Sequence, residues 1–263
     1  MPAASTRTHA GPLLREWRNR RRLSQLDVSS RTGISTRHLS CVETGRAKPS
    51  RELLLHLAND LELPMRVTND LLLAAGFAPV FEERPIDHAA MAPIRDVISL
   101  VLSGNDPNPT TVIDRRWNLV DANAAAFWLC ADVAPHLLDG QINVARLLLH
   151  PDGLTQRLAD FATFAAQLLA QMTHTLAATH DPGLADLIEE CTGYVPAVSP
   201  VSLSGDEIIL PMRIEIGGDV LAFLSTITTF GAARDVTVAD LSIETLYPAD
   251  DATRRVLQSR PWA

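Results

Sequence analysis

The chain has 263 residues, 46% apolar and 21% charged, the composition of a folded protein rather than a disordered one. It has no apolar run near the roughly 18 residues of a membrane span and no basic-then-apolar leader, so a cytoplasmic protein with no membrane partner is expected. The net charge of −8 is unevenly spread: residues 1–51 carry eleven Lys and Arg against three Asp and Glu, and residues 81–263 carry eleven against twenty-four. A basic head on an acidic body predicts that only the head meets a polyanion. Cys41, Cys130 and Cys191 are far apart and form no CxxC pair, which excludes a disulfide framework or a zinc ribbon.

In chain order, Pro12 suits the first turn of a helix carrying Leu13, Leu14, Trp17 and Arg18 and ending in Arg20, Arg21 and Arg22. Ser24 caps a second helix, to about Thr32, with Asp27 in the capping-box position and Gly33 past its end. Ser35 caps a third helix, to about Thr44, which Gly45 stops. Ser50 caps a fourth, with Leu53, Leu54, Leu57 and Leu61, and a fifth runs from Met65 to about Ala75.

On the third helix Leu39 and Val42 point to the core. Thr36, Arg37, Ser40, Cys41 and Thr44 then form the opposite stripe, the one that can enter a major groove. Arg37 suits a bidentate contact to a guanine edge, Thr36 and Ser40 a base edge or a phosphate, and Cys41 an apolar contact to a thymine methyl. Ser35, Arg46 and Lys48, the chain's single lysine, are expected on the DNA backbone, where they fix register without reading sequence.

The stretch SQLDVSSRTGISTRHLSCVETGRAKPS resembles the phage-repressor (XRE-type) helix-turn-helix, over residues 9–77. Its Ser-Gln opening, turn glycine, recognition-helix serine and closing Glu-x-Gly carry the likeness; Ser29 stands where that family usually has alanine. The resemblance implies a five-helix, lambda-repressor-like domain, a phosphate contact from Gln25, and a structural salt bridge between Arg18 and Glu43.

Residues 78–92 mix Pro, acidic and small residues and read as a linker to a second domain over 93–263. There, Pro93–Leu102 reads as a helix and SGNDPNP as a break. Strands TVID and NLVD follow around Arg115-Arg116-Trp117, then a helix from Ala122 to Leu129 capped by Asp121 or Asn123. A long amphipathic helix is expected from Gly153 to about Ala178, with Leu154, Leu158, Phe161, Ala165, Leu168, Met172 and Leu176 on one face. A short helix follows Asp181-Pro182-Gly183. Glu207–Ile216 and Val220–Thr229 read as a hairpin about Gly217-Gly218-Asp219, Leu241–Tyr247 as a further strand, and Thr253–Ser259 as a closing helix. The fold class expected is mostly α with an α+β second domain, an antiparallel sheet under a helical layer.

Four segments carry a second resemblance: Trp117–Asn123, NVARLLLHPDGL (Asn143–Leu154), ATHDPGLADLIEE (Ala178–Glu190) and DVTVADLSIETLYPADDATRRVL (Asp235–Leu257). Together they are similar to the ligand-binding domain of MmyB-like regulators; Tyr194–Ser204 departs from the family. The resemblance implies a PAS-like sensor for a small apolar molecule, such as a fatty acid or an apolar metabolite. Candidate lining residues are Trp117, Phe127, Phe161, Phe164, Leu168 and Phe223, with Asn123, Arg146 or Arg213 to hold a polar head. The other reading of these apolar residues is plain core, and the body is then a ligand-free dimerisation module. A homodimer on a double-stranded operator is expected either way, because one small head contacts too little DNA.

Enzyme chemistry finds no support. Residues 81–263 contain no lysine for a Ser–Lys dyad, HExxH and GxSxG are absent, and His136, His150, His174 and His180 lack metal-ligand spacing. Neither a catalytic residue nor a metal or required cofactor is expected.

Overall fold

A computed structural model describes residues 10–195 and 211–262. The chain divides into two compact units: one runs to Arg84 and takes in Arg234–Val236, and the other comprises Pro85–Ala233 and Thr237 onward.

The first unit holds α1 (Ala10–Arg20), α2 (Gln25–Thr32), α3 (Thr36–Glu43), α4 (Arg51–Asp60) and α5 (Met65–Ala74). The starts follow from local chemistry. Ser24 Oγ accepts the Asp27 N–H at 3.1 Å while the Asp27 carboxylate accepts the Ser24 N–H at 2.7 Å, a complete capping box. Ser35 and Ser50 accept from the third backbone N–H of α3 and α4 in the same way. Each such cap stabilises its helix by about 1 kcal/mol. Gly33 ends α2 at φ +73°, a backbone conformation that costs glycine no steric penalty. Helix α1 starts two residues before Pro12, and Gly11 is why it fits: a Cβ there would stand 2.4 Å from the Val42 carbonyl oxygen and 2.7 Å from that of Glu43. The start of α1 therefore rests on the end of α3. Leu14, Val28, Leu39, Val42, Leu54, Leu57, Leu71 and Leu72 form the core between the five helices.

The stretch expected as a linker is held at its start. The Asn69 side chain in α5 accepts from the Val80 and Phe81 N–H groups at 3.0 Å and donates to the Phe81 carbonyl at 2.7 Å. Within the same unit, Val236 donates to the Glu82 carbonyl at 2.8 Å and Arg84 pairs with Asp235 at 3.0 Å.

The second unit opens with a 3-10 turn at Ala89–Met91 and α6 (Ala92–Gly104). Its five strands are β1 (Thr110–Ile113), β2 (Leu119–Ala122), β3 (Met212–Ile216), β4 (Asp219–Thr229) and β5 (Ser242–Pro248). They form one antiparallel sheet in the order β2-β1-β5-β4-β3, which puts β5 in the middle. Between β2 and β3 lie α7 (Ala124–Leu129), α8 (Val144–Leu149), α9 (Phe161–Thr179) and α10 (Pro182–Tyr194); α11 (Val236–Ala239) and α12 (Asp251–Gln258) flank β5.

Alternation along the strands gives the sheet two working faces. Val112 and Ile243, partners in the β1–β5 register, pack with Ile98 and Leu102 of α6. Their neighbours Thr111 and Glu244, also partners, point to the other face.

The structure revises one sequence expectation, adds a helix that none foresaw, and shows part of an expected strand. The long helix does not begin at Gly153: a 3-10 turn covers Thr155–Arg157, Leu158 bridges to Ile214, and Ala159 donates to the Arg213 carbonyl at 2.9 Å. Asp160 then turns at φ +52°, and α9 starts at Phe161. Pairing with β3 thus wins over helical periodicity. Val144–Leu149, in a stretch noted only for its family likeness, forms α8, capped by the Asn143 side chain, which accepts the Arg146 N–H. Of the strand expected over Glu207–Ile216, the structure shows β3 from Met212; the part from Glu207 to Leu210 lies outside the described residues.

Candidate DNA-reading face and ligand cavity

The Ser35 hydroxyl accepts the His38 N–H at 3.2 Å, which fixes where α3 begins and which side chains face out. Leu39, Val42 and Glu43 turn inward and are buried. Thr36, Arg37 and Thr44 are exposed, and Ser40 and Cys41 are partly so. The expected stripe is thus one surface. His38, absent from the expected set, is exposed at its edge. Arg46 and Lys48 are exposed in the loop after Gly45, which turns at φ +73°. The Arg46 and Ala47 N–H groups both donate to the Cys41 carbonyl, at 2.8 and 3.1 Å, and so hold that loop against the end of α3.

Beneath this face lies a charged pair. Arg18 Nε donates to Glu43 Oε1 at 2.6 Å and Nη2 to Oε2 at 3.1 Å, a bidentate geometry with both residues buried. Arg18 Nη1 also donates to the Leu23 carbonyl at 2.7 Å. One guanidinium therefore ties α1 to the α1–α2 turn and to the last residue of α3. Gln25 Nε2 donates to Glu43 Oε2 at 2.8 Å. That bond uses one of the amide's two N–H donors, so the position expected to hold a phosphate is itself fixed by the pair.

In the second unit a cavity of about 200 Å³ opens between the sheet face bearing Thr111 and Glu244 and the helices α7, α8 and α9. Its walls are mainly apolar: Leu129 from α7, Leu147 and Leu148 from α8, Phe164 and Leu168 from α9, and Leu246 from β5. Trp117 lines it from the β1–β2 turn, where this buried residue sits at φ +63°. Phe127 lines it too and is 51% exposed, a large aromatic left partly in solvent at its side.

Of the nine candidate ligand residues, Trp117, Phe127, Phe164 and Leu168 line the cavity. The other five are placed elsewhere. Asn123 caps α7: its carbonyl oxygen accepts from Thr110 and Ala126, and its nitrogen donates to Asp106 and the Asn108 carbonyl. Arg146 is paired bidentately with Glu190 at 2.7 Å, and Tyr194 donates to the same carboxylate. The Arg146 hydrogen bond holds the Glu190 carboxyl below the usual carboxylate range. Phe161, the first residue of α9, is half-buried and packs against two core clusters, and Phe223 is fully buried with Ile214, Leu221 and Leu257. Arg213 sits on the exposed side of β3.

The sequence reading missed the polar part of the lining, which is Glu244 and Ser225 on the sheet with Thr111, Gln167 and Gln171. Ser225 Oγ donates to Glu244 Oε1 at 2.5 Å. Burial pushes the Glu244 carboxyl up, against the opposing pull of that hydrogen bond. The available signal was strand period: Ile243 and Thr245 share one face, so Glu244 shares the other with Leu246. Cys130 also lines the cavity, and burial raises its thiol, so it stays protonated and unreactive.

Spacing along the chain set His136 and His150 apart, but the fold brings them together. Their rings are 5.5 Å apart, and Asp152 lies 3.8 Å from His136 and 3.9 Å from His150. His150 Nδ1 accepts the Asp152 N–H at 3.0 Å, so one of its nitrogens is already used.

Two family models match the chain. One, described as the MmyB-like transcription regulator ligand binding domain, covers residues 94–259. The other, described as a helix-turn-helix domain, covers residues 9–71. No curated protein matches.

Proposed function

The chain belongs to the MmyB-like transcription regulators and joins a helix-turn-helix domain to a ligand-binding domain, and we propose that it is a sequence-specific repressor or activator whose operator affinity is tuned by a small apolar molecule. Both matched families are regulatory rather than enzymatic. The observation that carries the reading is the partly open, mainly apolar cavity between sheet and helices. Plain core would be close-packed instead.

On DNA, α3 enters the major groove. Arg37 reads a guanine, Thr36 and Ser40 read a base edge or a phosphate, and Cys41 touches a thymine methyl. Gln25, Ser35, Arg46 and Lys48 hold phosphates. The protein acts as a homodimer, each head on one half-site. The antiparallel sheet with β5 between β1 and β4 supports a PAS-like sensor. Its two faces supply a route for coupling: a ligand on the Thr111–Glu244 face bears on strands whose opposite face carries α6, which follows the linker. Occupancy then biases which state of the paired heads is populated.

Native mass spectrometry of the purified full chain, followed by denaturing extraction, tests this. A dimer carrying a releasable small-molecule excess is expected. Bare polypeptide mass, with no thermal shift from any apolar compound in a screen, would leave the ligand-free dimerisation module instead.

A further inference from the structure

The turn after α8 gathers a further set of ligating side chains, outside the cavity lining and the DNA-reading face. His150 ends α8, and its carbonyl accepts the Gly153 N–H at 2.9 Å and the Thr155 hydroxyl at 2.7 Å. Glycine is required at 153, because a Cβ there would stand 2.3 Å from the Leu147 carbonyl oxygen. On the turn so fixed, the Asp152 carbonyl accepts the Ala134 N–H at 3.2 Å. That bond brings up a 3-10 turn at Pro135–Leu137, which carries His136.

One ligating atom from each of His136, His150 and Asp152 therefore lies within 4.8 Å of the others. Asp152 Oδ2 is 3.8 Å from His136 Nε2 and 3.9 Å from His150 Nδ1. Both separations are too long for hydrogen bonds, and they suit groups that share an ion. Two imidazole nitrogens and a carboxylate oxygen are the donor set of a zinc-class divalent ion, with one position left for water. Calcium and magnesium call for oxygen ligands instead.

Ligand atoms around tetrahedral zinc stand about 3.3 Å apart, so the three must draw together. The His136 and Asp152 side chains are more than half exposed and can turn to do so. His150 is steadied by the Tyr194 ring, edge-on at 4.7 Å. Its Nδ1 accepts the Asp152 N–H at 3.0 Å. The ion takes over that lone pair, and the N–H, on an exposed turn, passes to water. Glu190, whose charge reaches His150, is held by Arg146 and Tyr194 and supplies no ligand.

We propose that His136, His150 and Asp152 form a binding site for a zinc-class divalent metal ion, which pins the Pro135–Leu137 turn to the end of α8. Leu138, next after that turn, lines the cavity, so the ion stiffens one of its walls. The site does not depend on whether the cavity is filled.

The test is calorimetric titration of chelator-treated full-length protein with zinc ion alone. His136→Ala and Asp152→Ala run in parallel, with His174→Ala, an exposed histidine on α9, as control. One ion per chain is expected, bound at least about tenfold more weakly by either site variant and equally well by the control. Zinc should also slow hydrogen–deuterium exchange at residues 136–138 and 152–154 of the wild-type chain. No binding by the wild-type chain overturns the proposal. Binding that both site variants keep, or protection confined to other residues, overturns it too. The exchange map decides the matter even if a variant fails to fold.

Discussion

Glu43 Oε2 accepts from Gln25 at 2.8 Å and from Arg18 at 3.1 Å, so one buried oxygen joins the residue expected on a phosphate to the ion pair that anchors α3. Removing either charge strands the other out of water. Arg18→Met or Glu43→Leu should each lower the stability of the first unit by about 3–5 kcal/mol, whereas the double variant should recover much of that loss. Hydrogen–deuterium exchange of the α1 and α3 amides in the three variants across a denaturant series measures it. A double variant that loses the sum of the two single losses would show the pair to be uncoupled.

Arg37 is exposed on α3, with Thr36 and Thr44 exposed beside it. Arg37→Ala should relax base preference at one operator position at a cost of about 1–3 kcal/mol, and leave affinity for non-specific DNA nearly unchanged. In vitro site selection with wild type and variant reads this directly. Equal weakening on every sequence would make Arg37 a phosphate contact.

Lys48 should behave in the opposite way. Lys48→Ala is expected to weaken binding on all sequences alike and to reduce the slope of log affinity against log salt by about 1. A salt titration by fluorescence anisotropy reports the slope, and an unchanged slope would remove Lys48 from the interface.

Glu244 gives a pH prediction. Burial raises its carboxyl above the ordinary value of 4.5, and the other titratable group in the described lining, Cys130, is itself held protonated by burial. Because the folded value is raised, the Glu244 contribution to stability is complete below the ordinary value and is lost as pH rises through the folded one. Glu244→Gln should therefore melt close to wild type in acid and increasingly above it as pH rises toward neutral. Melting curves across that range check the sign; a gap that widens toward acid would contradict the burial.

The first unit was largely legible because its signals are local. The serines at 24, 35 and 50 and Gly33 mark helix ends by chemistry that needs no distant partner. The second unit was legible in its order of elements but less so in its site. Arg146 and Asn123 look free in sequence, and only the fold shows Glu190 forty-four positions away and the Thr110 N–H thirteen away. Phe223 and Phe164 are equally apolar, yet one lies in core and the other on the cavity. That choice depends on which strand or helix face packs against which, a non-local fact. Asp160 shows the same limit, since pairing of Leu158 with Ile214 breaks a helix that periodicity favours.

The central claim is that cavity occupancy sets DNA affinity. It is tested most directly by measuring the affinity of stripped and ligand-saturated protein for a site obtained by in vitro selection, with the cavity-filling Leu168→Trp in parallel. A shift of about fivefold or more, abolished when the cavity no longer takes the ligand, is the predicted result. Identical affinities with the cavity empty and full would contradict it.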